Sequence, residues 1–103
     1  MNIEEAALMA ERFNWRHVPE RHGYVTQTTP TMMCADTGFN GDTYSLSDAG
    51  MARVLIEGRG TLESKGSRWL CYFTEKHRIY LERNPDPHKA VELAALAQIR
   101  GEG

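Results

Sequence analysis

His17 and His22 are spaced H-x4-H, a separation that half of a zinc site tolerates. The other half, a close cysteine pair, is missing, because Cys34 and Cys71 stand 37 positions apart. A site made from His17, His22 and Cys34 with a fourth ligand such as His77 or His88 would depend wholly on tertiary folding. Surface histidines beside Arg16 and Arg21 are the simpler expectation, so neither a metal nor a cofactor is expected. The thiols could also act as nucleophiles, which requires a base beside the sulfur and a group that orients the base. Cys71 falls between Leu70 and Tyr72 in a stretch of strand character and is expected to pack as a small hydrophobe. Cys34, in MMCADTG, is expected to be more exposed, but no histidine is tied to it by spacing.

The carboxylates suggest no acid–base pair either. Glu4 and Glu5 sit where a helix would begin, and there they complement its dipole. Asp36, Asp42 and Asp48 recur at six-residue intervals, unlike the alternate spacing of a calcium loop. Gly58-Arg59-Gly60 lacks the lysine and the further glycines of a phosphate loop and reads as a helix exit. No residue is assigned a catalytic role, and the chain is expected to act by binding.

Binding chemistry is concentrated in SRWLCYFTEKHRIYLER, residues 67 to 83. Alternation along two strands broken at Glu75 and Lys76 places Trp69, Cys71, Phe73, Ile79 and Leu81 on a core face, with His77 beside the turn. It places Arg68, Tyr72, Arg78 and Tyr80 on the opposite face, and these four are the candidate partner-binding residues. Tyrosine and arginine are enriched at protein hot spots. Aromatic and basic side chains on a sheet also suit single-stranded nucleic acid. The blandest reading is a solvated face, where tyrosine and arginine stems cover the sheet. Residues 59 to 78 carry five lysines and arginines against Glu63 and Glu75, yet the whole chain has a formal charge of −2. That balance puts a protein partner ahead of nucleic acid, whose binders are usually basic. A small-molecule enzyme comes third.

These residues must be positioned by a single domain, residues 1–103, of ordinary globular composition with 41% hydrophobic and 25% charged residues. Asn2 as N-cap and Glu5 three residues on predict a helix from about Ile3 to Trp15, with an apolar stripe of Ile3, Ala6, Ala7, Ala10 and Phe13. Residues 24–28 read as a strand. Asn40-Gly41-Asp42 predicts a hairpin with strands near 31–35 and 42–46. Ser47 caps a predicted helix from Asp48 to Glu57 with Gly58 closing it, although residues 52–56 could equally be a buried strand. GRGTLESKG, 58–66, reads as a loop. Asp86, Pro87 and Gly101 bracket a final helix that is apolar nearly all round, which must be sandwiched between layers or covered by a partner such as a second copy of the chain. Helices on an antiparallel sheet make an α+β domain. No apolar run approaches the roughly 18 residues of a membrane span, and NIEEAALMAERF lacks the basic start of a secretion signal. A cytoplasmic protein with reduced thiols and no membrane contact is expected.

The segment RWLCYFTEKHRIYLERNPDPHKAVELAALA, a Trp-led hairpin running into an Ala/Leu-rich helix, resembles small phage-encoded accessory proteins of helix–sheet–helix build. The resemblance implies a partner that is a bacterial protein or complex, which the chain would engage and inhibit. Anti-defence activity is one version of that role.

Overall fold

The computed structural model describes residues 1–18, 23–26, 37–40 and 43–101. The first helix, α1 (Ile3–Phe13), begins as its capping box dictates: the Asn2 side chain accepts from the Glu5 N–H, and the Glu5 carboxylate accepts from the Asn2 N–H. It stops two residues before the predicted end. Asn14 turns left-handed (φ 58°, ψ 48°), and its N–H closes onto the Ala10 carbonyl. Trp15 therefore opens a strand, β1 (Trp15–Val18), that periodicity did not reveal. The stripe also differs from expectation. Ala6, Met9 and Phe13 are buried, whereas Ile3 is 64% exposed.

β1 pairs with β2 (Gly23–Thr26), and β3 (Thr37–Asn40) follows, pairing with β4 (Thr43–Leu46) in a four-stranded antiparallel meander. β3 and β4 pair as a hairpin up to Asn40↔Thr43, so Asn40 itself lies in a strand; residues 41–42 of the predicted turn and the strand expected at 31–35 lie outside the described residues. After α2 (Asp48–Gly58) comes a second antiparallel meander of β5 (Thr61–Lys65), β6 (Arg68–Glu75) and β7 (Arg78–Asn84). β5 corrects the loop reading of 58–66. Glu63, Ser64 and Lys65 have little strand preference of their own, and pairing with β6 from Thr61↔Tyr72 to Lys65↔Arg68 holds them extended. The ambiguity at 52–56 resolves as helix, with Val54 fully buried.

The last helix, α3 (Pro87–Arg100), begins and ends where Asp86, Pro87 and Gly101 predict. It packs against β6, β7, α2, α1 and β4, and so forms the centre of the molecule. Ala90, Val91, Ala94 and Ala95 are completely buried. Most of the apolar band is thus occupied within the one chain, while Leu93 and Ile99 stay half-buried. Much of the band that prompted the expected homodimer contact through the C-terminal helix packs within the chain, where the alanines admit neighbouring elements at close range. The architecture is α+β, with helices packed on antiparallel sheet.

At the end of α2 an arginine occupies a position that favours glycine. Arg59 is exposed and left-handed (φ 56°, ψ 45°), and its N–H closes the helix onto the Ile56 and Leu55 carbonyls. Arg59→Gly relieves the β-carbon strain and should raise stability by about 0.5–1 kcal/mol despite the looser unfolded chain. A denaturant midpoint that falls instead would refute this assignment of strain.

Candidate functional site

The candidate surface depends on the β6–β7 register. The strands are joined by the two residues Lys76 and His77, Glu75 opposes Arg78, and Phe73 opposes Tyr80. Directly opposed residues of an antiparallel pair point to the same side. Tyr80 therefore joins Trp69, Cys71 and Phe73 facing α3, while Ile79 and Leu81 turn outward beside Thr74 and Tyr72. This inverts the expected faces of β7. A tyrosine expected outside is 4% exposed, and Ile79 and Leu81, expected in the core, are 61% and 40% exposed.

The four predicted binding residues are accordingly divided. Arg68 and Tyr72 lie on the outward face, exposed and half-buried. Tyr80 is interior. Arg78 belongs to the inner side of the hairpin end, where its Nη1 donates to the Gly101 carbonyl at 3.1 Å and so ties the hairpin to the end of α3. In place of the lost pair the outward face gains Ile79, Leu81 and Arg83, with Leu70 between its register partners Glu63 and Arg83. The missed signal was loop parity. A two-residue connection exchanges the faces relative to a three-residue one.

The face is polarised along its length. Tyr72, Thr74, Ile79 and Leu81 occupy the end near the Lys76-His77 turn. Lys65, Arg68 and Arg83 occupy the other, where Glu63 pairs with Lys65 at 3.6 Å. Among the described residues this is an excess of two positive charges on a chain whose formal charge is −2. No described helix packs against it, since α3 takes the inner side.

Other groups with reactive chemistry are occupied. Cys71 is buried, and desolvation pushes its thiol up to about 12, which leaves it inert at neutral pH. His88 is held at both ring nitrogens, by Asp48 through Nε2 at 2.6 Å and by Asp86 through Nδ1 at 3.2 Å. Neither nitrogen is left to serve as a base. Among the described residues no group of three histidines, cysteines or carboxylates is arranged to hold a metal. His22 and Cys34 lie outside those residues, and His17 lies in β1. No described helix is long and apolar enough to cross a membrane. An open groove of about 530 Å³ runs between α1, the end of α3 and the hairpin tip, lined by Leu8, Glu11, Arg12, Glu75, Gln98 and Ile99. Its two carboxylates are partly offset by Arg12, whose guanidinium lies 5.0 Å above the Phe13 ring.

The His88 clamp joins the first turns of α2 and α3 and carries a pH signature. The Asp48 hydrogen bond, with help from Asp86, raises the His88 pKa above 6.5 against the opposing effect of burial. A raised pKa contributes stability that is complete below the unfolded value and fades as pH climbs through the folded one. The stability difference between wild type and His88→Ala should therefore be largest near pH 6 and shrink toward pH 8, about the span over which imidazole titrates. Thermal unfolding across that series checks it. A difference that grows with pH would mean that the clamp does not hold the protonated ring.

Comparison of the chain with protein-family models, curated proteins and solved structures finds no match. The geometry of the outward face therefore carries the functional reading.

Proposed function

We propose that this domain is a cytoplasmic binding module that engages a protein through the outward face of β5–β7. One observation carries the reading: Ile79 and Leu81 project into solvent beside Tyr72 on a sheet face that no described helix covers. Clustered apolar side chains kept in water forgo stabilisation, and such patches mark contact surfaces. The resemblance of the hairpin and final helix to phage accessory proteins makes a bacterial protein the partner, with inhibition as the outcome of binding. Nucleic acid is the weaker reading, because stacking needs exposed rings and Tyr80 is interior, leaving Tyr72 as the aromatic of this face.

The test compares proteins retained from a bacterial lysate by wild type and by the Ile79→Asp/Leu81→Asp double variant. Both positions are exposed, so the variant should keep its circular dichroism spectrum. The reading expects a specific retained protein to be reduced at least tenfold by the double variant. Equal retention by both would overturn it. Salt-sensitive retention of single-stranded DNA, lost on Arg68→Ala, would replace it with the nucleic-acid reading.

A further inference from the structure

We infer that the occupant of the outward face is one amphipathic α-helix of the partner, about four turns long and acidic toward one end. The inference rests on the proposed function and adds the shape and charge of what binds. The size of the face supplies the first argument. Three strands spaced about 4.8 Å apart present a surface some 10–14 Å wide, the diameter of a single helix. The molecule fills the inner side of the same sheet in this way, with the 14-residue α3 laid against β6 and β7. The eight residues of β6 extend about 26 Å, close to the 21 Å length of such a helix.

The apolar positions supply the second argument. Tyr72 and Leu81 are direct cross-strand partners, as are Thr74 and Ile79, and together they form a compact patch rather than a long stripe. A partner strand would add to a sheet edge through its backbone and would leave these outward side chains uncovered. A helix presenting residues at i, i+3, i+4 and i+7 covers them.

Charge supplies the third argument and sets the direction. Lys65, Arg68 and Arg83 cluster at the end of the face away from the patch, and Glu63 offsets only one of them. Their complement is a carboxylate-rich segment continuing from the apolar stripe. Electrostatic pairing of this kind fixes orientation and suppresses like-charged competitors.

The experiment titrates isotope-labelled protein with three synthetic 16-residue peptides and follows backbone amide shifts. The first has leucines at i, i+3, i+4 and i+7 and glutamates in its remaining half. The second replaces the glutamates by lysines, and the third scrambles the first so that no apolar face forms. The inference expects shifts on β6 and β7 with the first peptide at least tenfold tighter than with either control. Arg68→Glu/Arg83→Glu should reverse the preference toward the lysine peptide, and Ile79→Ser/Leu81→Ser should weaken both. Equal affinity for the acidic and lysine peptides, absence of shifts on β6 and β7, or indifference to the charge reversal would overturn it. Lysate capture separates the two levels. If Ile79→Asp/Leu81→Asp still abolishes capture, the protein-binding reading stands and only the acidic helix falls; if capture survives, both fall.

Discussion

Alanine at Gly60 will cost this domain about 2–3 kcal/mol, in the range measured for overpacked cores. Gly60 has no left-handed backbone that would call for glycine. What it lacks is room. A β-carbon there would lie 2.5 Å from Cε1 and 2.8 Å from Cζ of Phe73. Phe73 is fully buried, so its ring cannot swing into solvent to make way. Gly58 meets the same ring at 2.7 Å, and the two glycines form the wall against which Phe73 packs. For Gly58→Ala the gain in helix propensity, about 1 kcal/mol, opposes the clash and should only reduce the loss. The decisive measurement is a double-mutant cycle by urea unfolding. Phe73→Leu alone opens a cavity and destabilises, but combined with Gly60→Ala it should cost clearly less than the sum of the two. Strict additivity would show that the ring does not limit the site. The glycine-bracketed arginine, which as a motif invited thoughts of phosphate, is here part of a packing arrangement.

The second large effect is expected at Glu92. This carboxylate is 3% exposed on α3, and three groups converge on it. Its Oε1 accepts from the Leu46 N–H at 2.9 Å. Its Oε2 lies 3.9 Å from the Met1 ammonium and 3.5 Å from Lys89 Nζ. The Met1 ammonium also donates to the Tyr44 carbonyl at 2.6 Å, and the Tyr44 N–H donates back to the Met1 carbonyl. Glu92 thereby joins α3, the start of the chain and β4. Glu92→Ala leaves a buried ammonium without its carboxylate and a buried N–H without its acceptor, at a cost of about 3 kcal/mol. For a domain of this size that is roughly a 12–20 °C fall in Tm. Glu92→Gln keeps an acceptor for Leu46 while removing the charge, and it should lose about half as much. Equal losses for the two would mean that the charge, rather than the hydrogen bond to Leu46, is what matters. A helical glutamate amid Val91, Leu93 and Ala94 reads as a solvated break in an apolar band, and only its neighbours in space identify it as a junction.

That contrast recurs through the molecule. What could be read along the chain was local. Asn2 with Glu5, Ser47 before α2, and Asp86-Pro87 with Gly101 around α3 each act within three or four residues, and the structure places those caps accordingly. The inward face of β6 was equally legible, because Trp69, Cys71 and Phe73 alternate without ambiguity. The candidate site was legible only in part. Arg68 and Tyr72 are on the outward face, but Arg78 and Tyr80 are not, and Ile79, Leu81 and Arg83 replace them.

Composition alone could not have decided this. Arg78-Ile79-Tyr80-Leu81 alternates equally well either way, and Ile79 with Leu81 is the more hydrophobic choice for a core. The tight turn at Lys76 and His77, with Lys76 left-handed at φ 56°, fixed the pairing of Phe73 with Tyr80. A strand's side chains alternate with period two, so a single residue of loop length exchanges every one of them between core and solvent. Helix caps are settled by neighbours in sequence, and the amino-acid sequence by itself determined them here. Which face of β7 meets water was decided by the hairpin's register and the packing of α3, and with it the surface through which this protein is proposed to act.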